Sequence, residues 1–84
     1  MLRRALCLLL AFAAPAAAQQ APARVVSMNL CTDQMAMLLA APGQLISVSS
    51  LARDRQSSAM ADEAMRYPVN HGLAEEIWLL KPDL

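Results

Sequence analysis

The sequence predicts an α/β fold with parallel strands, on three observations. The run Val25-Val26-Ser27-Met28 is apolar and β-branched at its start, as a buried strand is. Immediately after it the period changes: Cys31, Met35, Leu38 and Leu39 fall at i, i+4, i+7 and i+8, one stripe of a helix. A second short apolar run, Gln44 to Ser49, follows that helix, and a helix between two short strands implies a right-handed crossover and parallel pairing.

Taken in order, the chain opens on a secretory leader. Met1-Leu-Arg-Arg is a positively charged start, Ala5 to Ala14 an apolar run, and Ala16-Ala17-Ala18 the small residues a signal peptidase reads, which places the cut before Gln19. The uninterrupted apolar run is shorter than the ~20 residues that span a bilayer, so a retained membrane helix is not expected. Cys7 lies too close to the start to be a lipoprotein acylation site.

The whole chain has 84 residues and a formal charge of zero. Loss of Arg3 and Arg4 with residues 1–18 leaves five basic residues against seven acidic ones. No basic patch remains, which argues against nucleic acid as a partner. Cys31 is then the single cysteine, so no internal disulfide can form, and a chain this short without such staples is marginally stable.

Residues 19–23 read as a mobile Pro/Ala/Gln leader to the domain proper, 24–84. Asn29 sits where its side chain can cap the first helix, and Asp33 in the first turn suits the helix dipole. Ala41-Pro42-Gly43 ends that helix. Ser50 to Ser58 is polar and irregular, Ala59 to Arg66 a short helix capped by Ser57 or Ser58, and Tyr67-Pro68-Val69 a brief extended piece before the loop Asn70-His71-Gly72. Leu73 to Lys81 is the clearest later helix: Leu73, Ile77 and Leu80 share a face, Glu75 and Glu76 occupy the first turn, Lys81 the last, and Pro82 stops it. Asp83-Leu84 has the character of a further strand beginning.

Three loops follow the three strand-like pieces, and in a parallel sheet all leave by the carboxyl edge, where α/β ligands collect. They offer Asn29 and Leu30, then Ser50, Leu51 and Arg53, then Asn70, His71 and Gly72. Amides, hydroxyls, one guanidinium and one imidazole equip a binding surface rather than a catalytic one, since no nucleophile has an evident paired base. Each residue also has an ordinary structural reading. Cys31 on the apolar stripe is by default a buried, inert thiol. His71 is a solvated loop residue or a ligand contact, and with one distant cysteine it makes no metal set. Arg53 suits a carboxylate or phosphate, or a local ion pair with Asp54 or Asp62. The methionines and Trp78 read as packing, and Glu75-Glu76 as a solvated helix start.

The segments Arg24-Val-Val-Ser-Met-Asn-Leu-Cys-Thr-Asp-Gln and Leu73-Ala-Glu-Glu-Ile-Trp-Leu-Leu-Lys-Pro-Asp-Leu84 resemble the periplasmic binding proteins of iron-siderophore, haem and cobalamin ABC importers. That family follows its signal peptide with an R-[VI]-[VI]-S-L strand, and later carries N-x-E-x-[IV]-x-x-L-x-P-D-L-[VI], a helix leading into a strand. The resemblance covers about residues 23–84. It implies part of the N-terminal, Rossmann-like lobe of a two-lobed protein, in three α/β/α layers, with the linking helix and second lobe not included. It further implies a non-enzymatic role without a cofactor. A monomer in the periplasm would capture a ferric siderophore, haem or cobalamin and deliver it to the inner-membrane permease. By position, Glu75 would dock the lobe on a permease arginine. The cobalamin binders carry aromatic residues in the second and third loops, where this chain has Leu51 and Val69-Asn70-His71, which weakens cobalamin and leaves siderophore or haem open. Two other classes compete: a short secreted interaction module, and a small thiol enzyme using Cys31 with His71.

Overall fold

The computed structural model describes residues 20–84; the expected signal peptide, its cleavage point and Cys7 lie outside them. The order of elements is β1 (Val25–Val26), α1 (Leu30–Leu39), β2 (Leu45–Ser49), a 3-10 turn (Ser50–Arg53), α2 (Ala61–Ala64), β3 (Val69–Asn70) and α3 (Ala74–Leu80). The three strands form a parallel sheet in the order β1-β2-β3. Val25 pairs with Leu45, Val48 with Val69 and Ser49 with Asn70. The expected side-by-side, same-direction pairing of the first two strands is therefore present.

Asn29 caps α1 as its position suggests, its Oδ1 accepting from the Thr32 amide at 3.0 Å. The helix faces the sheet differently from the expectation. Cys31 is exposed, and Met35, Leu38 and Leu39 are 56%, 68% and 76% exposed. The side turned inward carries Asp33, which is fully buried, with Ala36, Met37 and Ala40 packed on the core. The rotation is set by Asp33: its carboxylate accepts from the Ser49 amide at 3.0 Å and from the Ser49 hydroxyl. A buried carboxylate without donors costs more than leaving a few apolar side chains wet, so the polar pair wins over the apolar stripe.

Beyond β2 the irregular stretch begins with the 3-10 turn, which carries Leu51 outward and buries Ala52. α2 is one turn long and has no side-chain cap; Ser58 Oγ instead accepts from the Met60 amide, closing the preceding turn. The third strand lies later than the sequence suggests. Pro68 gives its carbonyl to the Val48 amide at 3.1 Å, and Asn70 belongs to the strand, not to the loop after it.

α3 runs from Ala74 to Leu80 and has no buried residue; Trp78 is 81% exposed, which corrects its reading as core. Lys81 ends the helix in the left-handed region, φ 49°. Arg24 covers the open carbonyls there, donating to Leu80 O and Lys81 O. The Leu84 amide reaches Arg24 O at 3.4 Å and the Val26 amide donates to Leu84 O at 2.9 Å, so the chain returns alongside β1 as a strand would.

The core is small: Leu45, Val48, Ala52 and Ala64, lined by Val25, Ala36, Met37, Ala40, Tyr67 and Val69. β2, flanked by strands on both sides, supplies its two largest buried members, Leu45 and Val48. No helix among the described residues is long and apolar enough to cross a membrane.

Candidate functional site at the carboxyl edge of the sheet

Because the strands are parallel, the segments after β1, β2 and β3 leave by one edge. A buried polar network holds that edge in shape. Asn70 is fully buried; its amide nitrogen donates to Ser27 O and Ser47 Oγ, both at 2.9 Å, while its Oδ1 accepts from the Gly72 amide at 3.1 Å. One side chain of β3 thus ties β2 to the residue that follows β1. The Ser27 and Thr32 hydroxyls share a hydrogen bond of 2.7 Å, and Asp33 binds the end of β2 through Ser49.

The expected site residues divide into two groups. Asn29, Ser50, Leu51 and His71 are exposed at the edge, with Leu30 and Gly72 half-buried. Asn70 and Arg53 have structural work instead. Asn70 is enclosed and has both its N–H donors and its oxygen engaged, so it shapes the edge without facing outward. Arg53 turns its guanidinium onto the end of α2, donating to Tyr67 O and, at 3.4 Å, to Ala64 O. Its ion-pair alternative belongs to a neighbour: Arg55, not Arg53, meets Asp62, at 2.7 Å and in open solvent. The guanidinium of Arg53 is drawn inward by carbonyls at and beyond the end of the short helix: Tyr67 O, and Ala64 O, which also accepts the Tyr67 amide at 3.1 Å.

His71 pairs with Glu76. The Glu76 carboxylate accepts the His71 amide at 2.8 Å, and the imidazole Nδ1 lies 3.1 Å from its other oxygen. These contacts, the His71 amide first, hold the Glu76 carboxyl below its ordinary range. Glu75, one residue earlier, is exposed. Gly72 takes φ 71°, a turn open to glycine at no steric cost, and this lets its amide reach back to Asn70.

Cys31 lies in the first turn of α1, after β1, and His71 follows β3, with β2 between those two strands. Two strand spacings are about 10 Å, and the Nδ1 of His71 is turned to Glu76. No hydrogen bond joins them, so the thiol-imidazole pair gains no support from the fold. Among the described residues no group of three or more His, Cys, Asp and Glu side chains could hold a metal.

Comparison with models of known families, with curated proteins and with solved structures finds no match in any of the three.

A groove of about 630 Å³ lies beside α3, lined by Met28, Ala74, Ile77, Trp78, Lys81 and Pro82. Sequence reasoning did not find it, because it assigned Trp78 and the Leu73/Ile77/Leu80 face to packing. It also missed Asp33, Ser49 and Asp83. A lone acid in an apolar helix stripe was the available signal for Asp33. For Asp83, whose carboxylate accepts the Ala23 and Arg24 amides, there was none short of the fold.

Proposed function

We propose that this chain is the solute-capturing component of an ABC importer, taking up a metal chelate (a ferric siderophore, haem or cobalamin) in the periplasm and handing it to the membrane permease. The solute class and the permease come from the resemblance of Arg24–Gln34 and Leu73–Leu84 described above, and one observation of the fold supports a ligand edge. Leu84 bonds to β1 on the side away from β2, so the backbone order runs β3-β2-β1-Leu84. In doubly wound sheets such a reversal marks the place, outside the carboxyl ends, where ligands collect. Right-handed crossovers put α1 and α2 on one face of such a sheet, and the return past β1 puts α3 on the other, the α/β/α layering of a Rossmann-like lobe. Asn29 and Leu30 stand nearest the reversal.

In this reading Asn29, Leu30, Ser50, Leu51, His71 and Gly72 form one wall of the solute site, and Arg53 and Asn70 keep that wall in shape. A mixed apolar and polar wall suits a bulky chelate held without chemistry. Glu75, exposed in the first turn of α3, is the contact offered to the permease. A single exposed ion pair is worth only ~0.2–1 kcal/mol, so docking spreads over more surface than this carboxylate. The test is titration of the exported protein with ferric chelates, haem and cobalamin, read by Trp78 fluorescence. Saturable quenching by one class is expected; a flat response to all of them rejects the assignment.

A second reading, a secreted interaction module, draws on the exposure of Met35, Leu38, Leu39, Trp78 and Leu79, all more than half exposed. It requires residues 19–84 to unfold cooperatively by themselves, which calorimetry decides.

A further inference from the structure

Trp78 stands as a ridge between two apolar hollows. It borders the groove of about 630 Å³ together with Met28, Ile77 and Lys81, and a second hollow of about 510 Å³ together with Glu75 and Leu79. The ring is 81% exposed and α3 has no buried residue, so no described residue covers this ridge.

Charge is graded along the same helix. Glu75 is exposed in its first turn, and Glu76 beside it is engaged by His71. Lys81 is exposed at the opposite end, where the Arg24 guanidinium also lies, on the carbonyls of Leu80 and Lys81. The acid at that end, Asp83, has its carboxylate on the amides of Ala23 and Arg24. The surface therefore runs from negative through aromatic to positive, with Trp78 three residues from Glu75 and three from Lys81.

A surface in that order is complementary to itself reversed. A two-fold axis at the height of Trp78 sets a second α3 antiparallel to the first, with each indole ridge against the other copy's groove. Because Trp78 is midway, the axis also brings Glu75 of each copy level with Lys81 of the other. A partner of uniform charge would be attracted at one end of the helix and repelled at the other.

We propose that this chain pairs with a second copy of itself through α3, two-fold and antiparallel. The pairing departs from the monomer that the sequence resemblance implies, and it does not depend on which solute the chain carries. It engages the Glu75 carboxylate offered to the permease, so pairing and docking exclude each other. A seven-residue helix gives a patch well under the ~800 Å² that each partner contributes to a stable complex, so the pair exchanges with monomer over roughly 10–1,000 µM.

The test is sedimentation equilibrium of the full 84-residue chain and its variants across that range. Glu75→Lys meets Lys81 twice across the axis, and Lys81→Glu meets Glu75 twice. Each alone should weaken self-association roughly tenfold, whereas merely neutralising Glu75 should barely shift it, an exposed pair being weak. The two single variants mixed in equal amounts should associate with each other as wild type does, and the chain carrying both substitutions should pair with itself. Trp78→Gln should bring pairing below detection and leave the melting temperature of the dilute protein unchanged, since the ring is exposed. A chain that stays monomeric across the range overturns the proposal, as do single variants that pair as well as wild type or a mixture that does not recover. Association that survives Trp78→Gln also overturns it, since another face or the leader would then be the contact. No solute or permease enters the measurement, so its failure leaves the solute reading to the chelate titration.

Discussion

The carboxylate of Asp83 holds the main-chain amides of Ala23 and Arg24, joining the two ends of the described chain across about sixty residues. Those two amides, Ala23 first, keep the Asp83 carboxyl below the usual range. A depressed folded value means the contact stabilises fully above the unfolded carboxylate pKa, near ~3.9, and is lost as pH falls through the folded one. Asp83→Ala should therefore lower the urea midpoint at neutral pH, with the gap to wild type closing as both are acidified below about pH 4. A gap that persists at the acid end would mean the contact acts through something other than its charge.

Asp33 sets which side of α1 is buried. Asp33→Ala strands the amide and hydroxyl of Ser49 inside, at a cost of about 1–3 kcal/mol for each unsatisfied donor. Ser49→Ala removes one donor and leaves the amide bond in place, so it should cost less. Chemical denaturation of both variants orders them.

Arg53 is a fastening, and Lys cannot replace its fork. Arg53→Lys can reach only one of the carbonyls of Ala64 and Tyr67 at a time, so it should lower the melting temperature nearly as far as Arg53→Ala. If Arg53 instead met the solute through its charge, lysine would keep the stability and part of the binding.

Glu75 and Glu76 are adjacent but should separate cleanly. Glu76→Gln loses the charge-assisted bond to the His71 amide and should loosen the turn before α3, visible as faster amide exchange at His71. Glu75→Gln should leave exchange and melting unchanged and, under the proposed function, weaken only association with a permease. The Glu76 contribution is present above its unfolded pKa, around ~4.3, and disappears as pH falls through its depressed folded value.

Leu79 is 78% exposed on α3. Leu79→Glu should leave the unfolding free energy within about 0.5 kcal/mol of wild type, as surface changes do. It should also raise the concentration at which the protein begins to scatter light. A loss of the size seen for core residues, about 2–5 kcal/mol, would place Leu79 inside after all.

The sequence by itself determined the alternation of strands and helices, the parallel pairing of β1 with β2, the Asn29 cap and the helix stop before Pro82. Each is local: an apolar run, a change of period, a capping oxygen or a missing N–H acts within a few residues. It did not determine which side of a helix turns inward, and the stripe Cys31, Met35, Leu38 and Leu39 pointed the wrong way. Nor did it tell that Asn70 and Arg53 serve the fold from within the expected site. Those outcomes were decided by tertiary hydrogen bonds, Asp33 to Ser49, Asn70 to Ser27 and Ser47, and Arg53 to Tyr67. A buried charge or amide must meet its partner wherever the chain brings it, and in so small a core that demand outweighs the burial of an apolar stripe.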